Sequence, residues 1–221
     1  MGCLFNTLSE LFNPLSEGGF SLLINGSTGT GKTTLALEFI REMAEKGLKS
    51  YYISSYLSPK KVHKYFPWTK NFLSEKNIID VRKNQLPSSL PTHVSFMYVE
   101  EPVFLKFMYN EVESSKKRPV TIVIDTLEGL KRALDVSLNN TKLEESLLSI
   151  CESMKSNVIF VSEKDENLEL GYWVDGIITL TYNIIDRKIR RRMYIKKLRG
   201  TDIKHPVFSF TLEDGRFKPL L

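Results

Sequence analysis

The sequence predicts an α/β fold: a mostly parallel central sheet flanked by helices, with antiparallel strands added at the C-terminal edge. Three observations lead there. Short, wholly apolar runs that suit doubly buried strands alternate with segments of helical period through the first two thirds of the chain. A glycine-rich turn joins the first strand directly to the first helix. The last third reads as strand after strand, the pattern of an antiparallel extension. No repeat, low-complexity tract or long linker divides the chain, so residues 1–221 are read as one domain.

Phe20 to Ile24 is the first buried strand. Thr33 to Lys46 follows as a helix, because Leu35, Ala36, Phe39, Ile40 and Met43 recur at helical spacing. Gly47 ends it in the manner of a left-handed cap. Tyr51 to Ser54 is the second strand and Ile78-Ile79 a short third, with Pro87 and Pro91 marking a connecting loop. Pro102 suits the first turn of the next helix. After Pro119, Val120 to Ile124 is a central strand that ends at Asp125. Thr141 and Glu144 have the spacing of a capping box, and Leu143, Leu147, Ile150, Cys151 and Met154 then line one helical face, which makes Cys151 a core residue. Val158 to Val161 is another buried strand. Gly176 to Tyr182, Ile189 to Leu198 and Val207 to Leu212 complete the sheet.

Composition narrows the class. With 42% hydrophobic and 26% charged residues, the chain can bury a core, which excludes wholesale disorder and fibrous or disulfide-scaffold classes. Apolar runs such as Val158-Ile159-Phe160-Val161 fall far short of the ~18–20 residues that cross a bilayer, and the N-terminus lacks the signature of a secretory leader. Neither membrane insertion nor export is expected. Cys3 and Cys151 can form neither a disulfide framework nor a metal knuckle, so the reducing cytoplasm is the expected compartment. A net charge of +5 says little about partners without knowing where the charge sits.

The sharpest signal is Gly26-Ser27-Thr28-Gly29-Thr30-Gly31-Lys32-Thr33, a full match to G-x-x-x-x-G-K-[ST], the Walker A pattern of a P-loop NTPase. It lies between an apolar strand and a helix, so backbone N–H groups and the helix start can converge on phosphate oxygens. The glycines let the backbone wrap closely, Lys32 offers a mobile cation for the β- and γ-phosphates, and the Thr33 hydroxyl can ligate Mg²⁺. Thr34 completes the candidate nucleotide site. Asp125, at the carboxyl end of an apolar central strand, is the candidate Walker B carboxylate that holds the magnesium from the other side.

These residues, with Gly26 to Ile40, Val120 to Thr126, Val174-Asp175-Gly176-Ile177-Ile178 and Lys197-Leu198-Arg199-Gly200-Thr201, resemble the KaiC-like branch of the RecA superfamily of ATPases. The resemblance covers nearly the whole chain, in order, as an archaeal-type single-domain member. It implies a RecA-like core, ATP or ADP with Mg²⁺, and a homo-oligomeric, hexameric ring with nucleotide between subunits. It also implies that Lys197 and Arg199 reach a neighbour's γ-phosphate, which adds them to Lys32 as candidate catalytic residues. A cation supplied from a neighbour stabilises phosphoryl charge and couples nucleotide state to assembly. Arg187, Lys188, Arg190, Arg191, Arg192 and Lys196 crowd the same region and read as an exposed basic edge.

One departure matters. The family usually carries two glutamates just before a Ser/Thr-Pro pair after the second strand. Here Tyr56 and Leu57 precede Ser58-Pro59, and neither side chain can take a proton from water as a carboxylate does. Glu128 and Glu163 are candidate substitutes, although both also read as solvated loop carboxylates. Ser162 stands where related ATPases sense the γ-phosphate, and Tyr56 reads as a surface or interface aromatic. The leading reading is a ring-forming ATP-binding protein with weak or conditional hydrolysis. A second is a non-hydrolysing, nucleotide-switched subunit read by a protein partner, akin to FlaH-like subunits of the archaellum motor. A RecA-like DNA-binding paralogue ranks last, since neither stacking aromatics nor a separate nucleic-acid module is evident.

Overall fold

The structure is a computed structural model that describes residues 13–82, 103–115, 119–164 and 167–220. Cys3, Pro87, Pro91 and Pro102 lie outside the described residues. In chain order the elements are β1 (Ser21–Asn25), α1 (Lys32–Glu45), β2 (Ser50–Ser54), α2 (Pro59–Tyr65), β3 (Ile78–Asp80), α3 (Val103–Glu113), β4 (Thr121–Asp125), α4 (Leu127–Ala133) and α5 (Lys142–Ser153). Then come β5 (Asn157–Val161), α6 (Leu168–Trp173), β6 (Gly176–Ile185), β7 (Lys188–Leu198), β8 (Val207–Glu213) and β9 (Arg216–Leu220).

The strands form one nine-stranded sheet in the order β3-β2-β4-β5-β1-β6-β7-β8-β9. Every pair from β3 to β6 is parallel, and every pair from β6 to β9 is antiparallel. Strands β1 to β5 are buried along their whole length, with apolar centres, because helices cover both faces. Pleating sends Leu22, Ile24, Val123, Ile159 and Val161 to the face packed by Leu35, Phe39, Ile40 and Met43 of α1. Leu23, Ile122, Ile124, Val158 and Phe160 go to the other face, against α3, α4 and α5, where Cys151 is buried as expected.

Several elements differ from the sequence-based expectation. Helix α1 does stop at a left-handed Gly47, whose N–H bonds to Ala44 O at 2.8 Å while Leu48 N–H reaches Met43 O at 2.9 Å. The Thr141–Glu144 capping box does not form. Thr141 is helical in conformation and makes no side-chain cap, its hydroxyl donates to Glu145, and Asn140 Oδ1 accepts from Lys142 N–H instead. Glu144 is drawn inward to Lys131 of α4, 2.5 Å away, with both side chains almost fully buried. A buried ammonium needs a carboxylate more than a solvated amide does. Helices α2, α4 and α6 and strand β9 were not anticipated. The first of these has a legible signal, since Ser58 caps it by accepting from Lys61 N–H and Pro59 occupies its first turn.

Candidate functional site

Strand β1 delivers the glycine loop to the carboxyl end of the sheet. Gly26 has φ 145°, and a Cβ there would sit 2.4 Å from Leu180 O of β6, so no larger residue fits. Gly29 (φ 83°) arches over open space, and Gly31 (φ 103°) is the left-handed residue at the start of α1, where no side chain caps the first amides. Thr30 Oγ1 donates to Ser27 O at 2.8 Å and pins the loop from within. Lys32 folds back across it, donating to Gly26 O and, at 2.9 Å, to Ser27 O. Ser27, Thr28 and Gly29 form the exposed rim, while Thr34 is buried beneath. Uncapped amides at a helix start, with an ammonium above them, suit a phosphate-type anion.

Asp125 ends β4 on the face that carries α1. There the Thr33 hydroxyl donates to its Oδ2 at 2.7 Å and the Tyr52 hydroxyl donates at 2.6 Å. Burial pushes the Asp125 carboxyl above its usual range, and the hydrogen bonds from Tyr52 and Thr33 and the charge of Lys32 oppose that rise. Burial, then the nearby Asp125 charge, holds the Tyr52 phenol well above its ordinary value. A hydroxyl and a carboxylate, both hard oxygen donors, converge beside the loop and fit a small divalent cation completed by phosphate and water. Among the described residues no cluster of three or more His, Cys, Asp or Glu offers a metal cage. Ser55 joins β2 to β4 here: its N–H donates to Asp125 O at 2.8 Å and its Oγ accepts from Thr126 N–H at 2.9 Å. The Asp125–Thr126 peptide is cis.

Beyond Asp125 lies a second polar group. Tyr56 OH donates to Glu163 Oε1 at 2.5 Å, Thr126 Oγ1 donates to the same oxygen at 3.3 Å, and Arg132 donates to Tyr56 OH at 3.0 Å and to Glu163 Oε2 at 3.4 Å. Tyr56 is a surface aromatic, as expected, and its hydroxyl is tied to Glu163 and Arg132. Burial would raise the Glu163 carboxyl, but the bonds from Tyr56 and Arg132 and the charge of Arg132 outweigh it and hold the group below its usual range. Glu128 is not a solvated loop carboxylate: it is buried, Oε1 accepts from Ser162 Oγ at 2.6 Å, and Oε2 accepts from Glu163 N–H at 3.0 Å. Ser162 in turn accepts from Lys164 N–H, so its hydroxyl locks the turn after β5.

Lys197 and Arg199 are brought together, but far from the loop of their own subunit. Leu198 between them pairs with Gly176, which pairs with Leu22, whereas the loop begins at Gly26. Four residues of strand put them roughly 13 Å lower along the sheet. Lys197 Nζ donates to Gly171 O at 3.0 Å and Val174 O at 2.5 Å at the end of α6, and Arg199 lies 3.4 Å from Asp175. Burial and the neighbouring Arg199 charge lower the Lys197 pKa, against the pull of Asp175. Of the other basic residues, Arg191 alone is half-buried, with its guanidinium 3.5 Å from Gly29 O. Strand alternation singles it out, since it shares a face with the buried Met193 and Ile195.

Comparison with known proteins adds an independent result. The family described as "ATPase: KaiC" matches residues 7–217. The protein GvpD2 of Halobacterium salinarum is 27% identical over 92% of this chain, and GvpD1 of the same organism is 26% identical over 96%. The circadian clock protein KaiC3 of Synechocystis is 26% identical over 91%. The chain spans 42%, 39% and 42% of these three relatives, about two fifths of their length. Among solved structures, the KaiC-like protein PH0186 of Pyrococcus horikoshii superposes with a TM-score of 0.67 at 21% identity, covering 92% of this chain and 90% of that one. That likeness establishes the fold.

Proposed function

The chain belongs to the KaiC family of ATPases, and on that premise we propose that it binds Mg-ATP on the loop 26–33, between subunits of a homo-oligomeric ring, and hydrolyses it slowly. One observation carries this reading: the Thr33 hydroxyl and the Asp125 carboxylate, 92 residues apart in sequence, meet at 2.7 Å beside the glycine loop. That pairing joins the two halves of a magnesium–phosphate site.

The residues divide the work by position. Bound Mg-ATP supplies the reactive γ-phosphoryl group and the metal charge that draws electrons from it. The amides of loop 26–33 orient the phosphates, and Lys32 leaves the carbonyls of Gly26 and Ser27 to neutralise the terminal oxygens. Thr33 and Asp125 hold the metal. Arg191, already at Gly29 O, adds a cation from the same subunit. Lys197 and Arg199, too distant from their own loop, serve the loop of a neighbour. Their present partners are carbonyls of α6 and Asp175, which a nucleotide phosphate can replace as the stronger acceptor.

Tyr56 and Leu57 favour a second reading, a nucleotide-switched subunit without turnover, because no carboxylate follows β2 directly. Titration calorimetry with ATP and magnesium, paired with phosphate release, separates the two. Lys32→Ala is expected to weaken ATP binding by at least 100-fold, as roughly 3 kcal/mol of charge-assisted bonding is lost. Parent protein that binds no adenine nucleotide overturns both readings, and parent protein that binds but never releases phosphate leaves only the second.

A further inference from the structure

Hydrolysis of a phosphoanhydride needs an acceptor for the proton of the attacking water. Among the described residues, few carboxylates lie at the carboxyl ends of the strands that carry the loop. Asp125 is buried, is held through Oδ2 by Thr33 and Tyr52, and is assigned to the metal. Asp80, ending β3, is held by Arg82. Glu128 is buried with both oxygens committed to the turn after β5. Glu163 differs, because its side chain is 35% exposed and its Oε2 has a single weak partner, Arg132 at 3.4 Å.

Its height in the sheet is right for the task. Val161 pairs with both Ile24 and Asp125, and Ser162 N–H bonds to Ile24 O at 2.9 Å, so Glu163 emerges level with the first residues of the loop. It touches Thr126, the residue after Asp125. We propose that Glu163 is the carboxylate that orients and deprotonates the attacking water, with Tyr56 and Arg132 as positioning residues that fix its rotamer. The Tyr56 phenol and Thr126 hydroxyl occupy Oε1, which leaves Oε2 as the acceptor. In the step, the water oxygen bonds to the γ-phosphorus and its proton passes to Oε2. The bond from that phosphorus to the β–γ bridging oxygen breaks, and its electron pair leaves with ADP. The base thus comes from β5 rather than β2.

The assignment rests on the Mg-ATP reading, and the test keeps the two apart. Parent, Glu163→Gln and Tyr56→Phe are compared by single-turnover release of radiolabelled phosphate and by calorimetry with a non-hydrolysable ATP analogue and with ADP. Glu163→Gln is expected to slow release by ~10²–10⁴-fold, to bind the analogue several-fold more tightly because an anion beside the terminal phosphate is gone, and to bind ADP as the parent does. Tyr56→Phe is expected to lower kcat by about tenfold without moving KM, since it frees a rotamer and keeps the base. Release by Glu163→Gln within threefold of the parent overturns the assignment. So does a parent that binds the analogue but releases no phosphate, and so does a Gln variant whose analogue and ADP affinities fall together. Failure of the parent to bind any adenine nucleotide overturns the underlying reading as well.

Discussion

Glu163 carries a second signature, in stability. Its pKa in the fold lies below its ordinary 4.5, the net effect of burial opposed by Tyr56 and Arg132. A carboxyl depressed on folding contributes stability that is present above its unfolded value and lost as pH falls through the folded one. The melting temperature of the parent is therefore expected to exceed that of Glu163→Gln at pH 6, and the gap to close below pH ~4 as the carboxyl protonates. Equal gaps at pH 6 and pH 3, followed by circular dichroism, contradict this. At the same scale, Lys32, Thr33 and the glycines were legible because a contiguous motif defines them. Tyr52, Arg132 and Arg191 were not, because each acquires its role from a partner more than 30 residues away.

Between elements, the Lys131–Glu144 pair ties α4 to α5. Lys131 also donates to Leu138 O at 3.2 Å and Asn140 O at 2.7 Å, so one ammonium holds both the second helix and the turn between them. Burial raises the Glu144 carboxyl, and the bond and charge of Lys131 oppose it without cancelling it. The pair is thus tolerated more than it is favourable. Lys131→Met, which strands a buried carboxylate, is expected to cost ~3–5 kcal/mol in urea denaturation, whereas Lys131→Met with Glu144→Met regains most of the loss. A double variant as unstable as the single one contradicts that account. The strand-and-helix alternation was legible because apolar periodicity is local. The failed capping box was not, since Glu144 chose between a solvated amide and a buried cation on another helix. Strand β9 had a local cue, Asp214-Gly215 with φ 52° and 70° between β8 and β9, the preferred chemistry of a tight hairpin.

For the whole molecule, the antiparallel addition at β6–β7 separates the basic residues along the sheet. One strand pair carries Arg191 to the loop at its upper end and Lys197 and Arg199 to its lower end, so the lower cations serve a nucleotide only if a second copy brings its loop to them. Arg199→Ala, at an exposed position, is expected to keep the fold and to shift the Mg-ATP-dependent assembly midpoint at least tenfold in protein concentration by size-exclusion light scattering. Assembly indistinguishable from the parent removes the trans role. The sequence by itself determined the fold class, the glycine loop, Asp125 and the antiparallel edge, because local periodicity and contiguous spacing encode them. Only the tertiary structure decided which carboxylate keeps a weakly held, exposed oxygen, which basic residue reaches the loop and which cannot. Those outcomes depend on strand register and on competition for buried hydrogen-bond partners, and both are long-range properties of the folded chain.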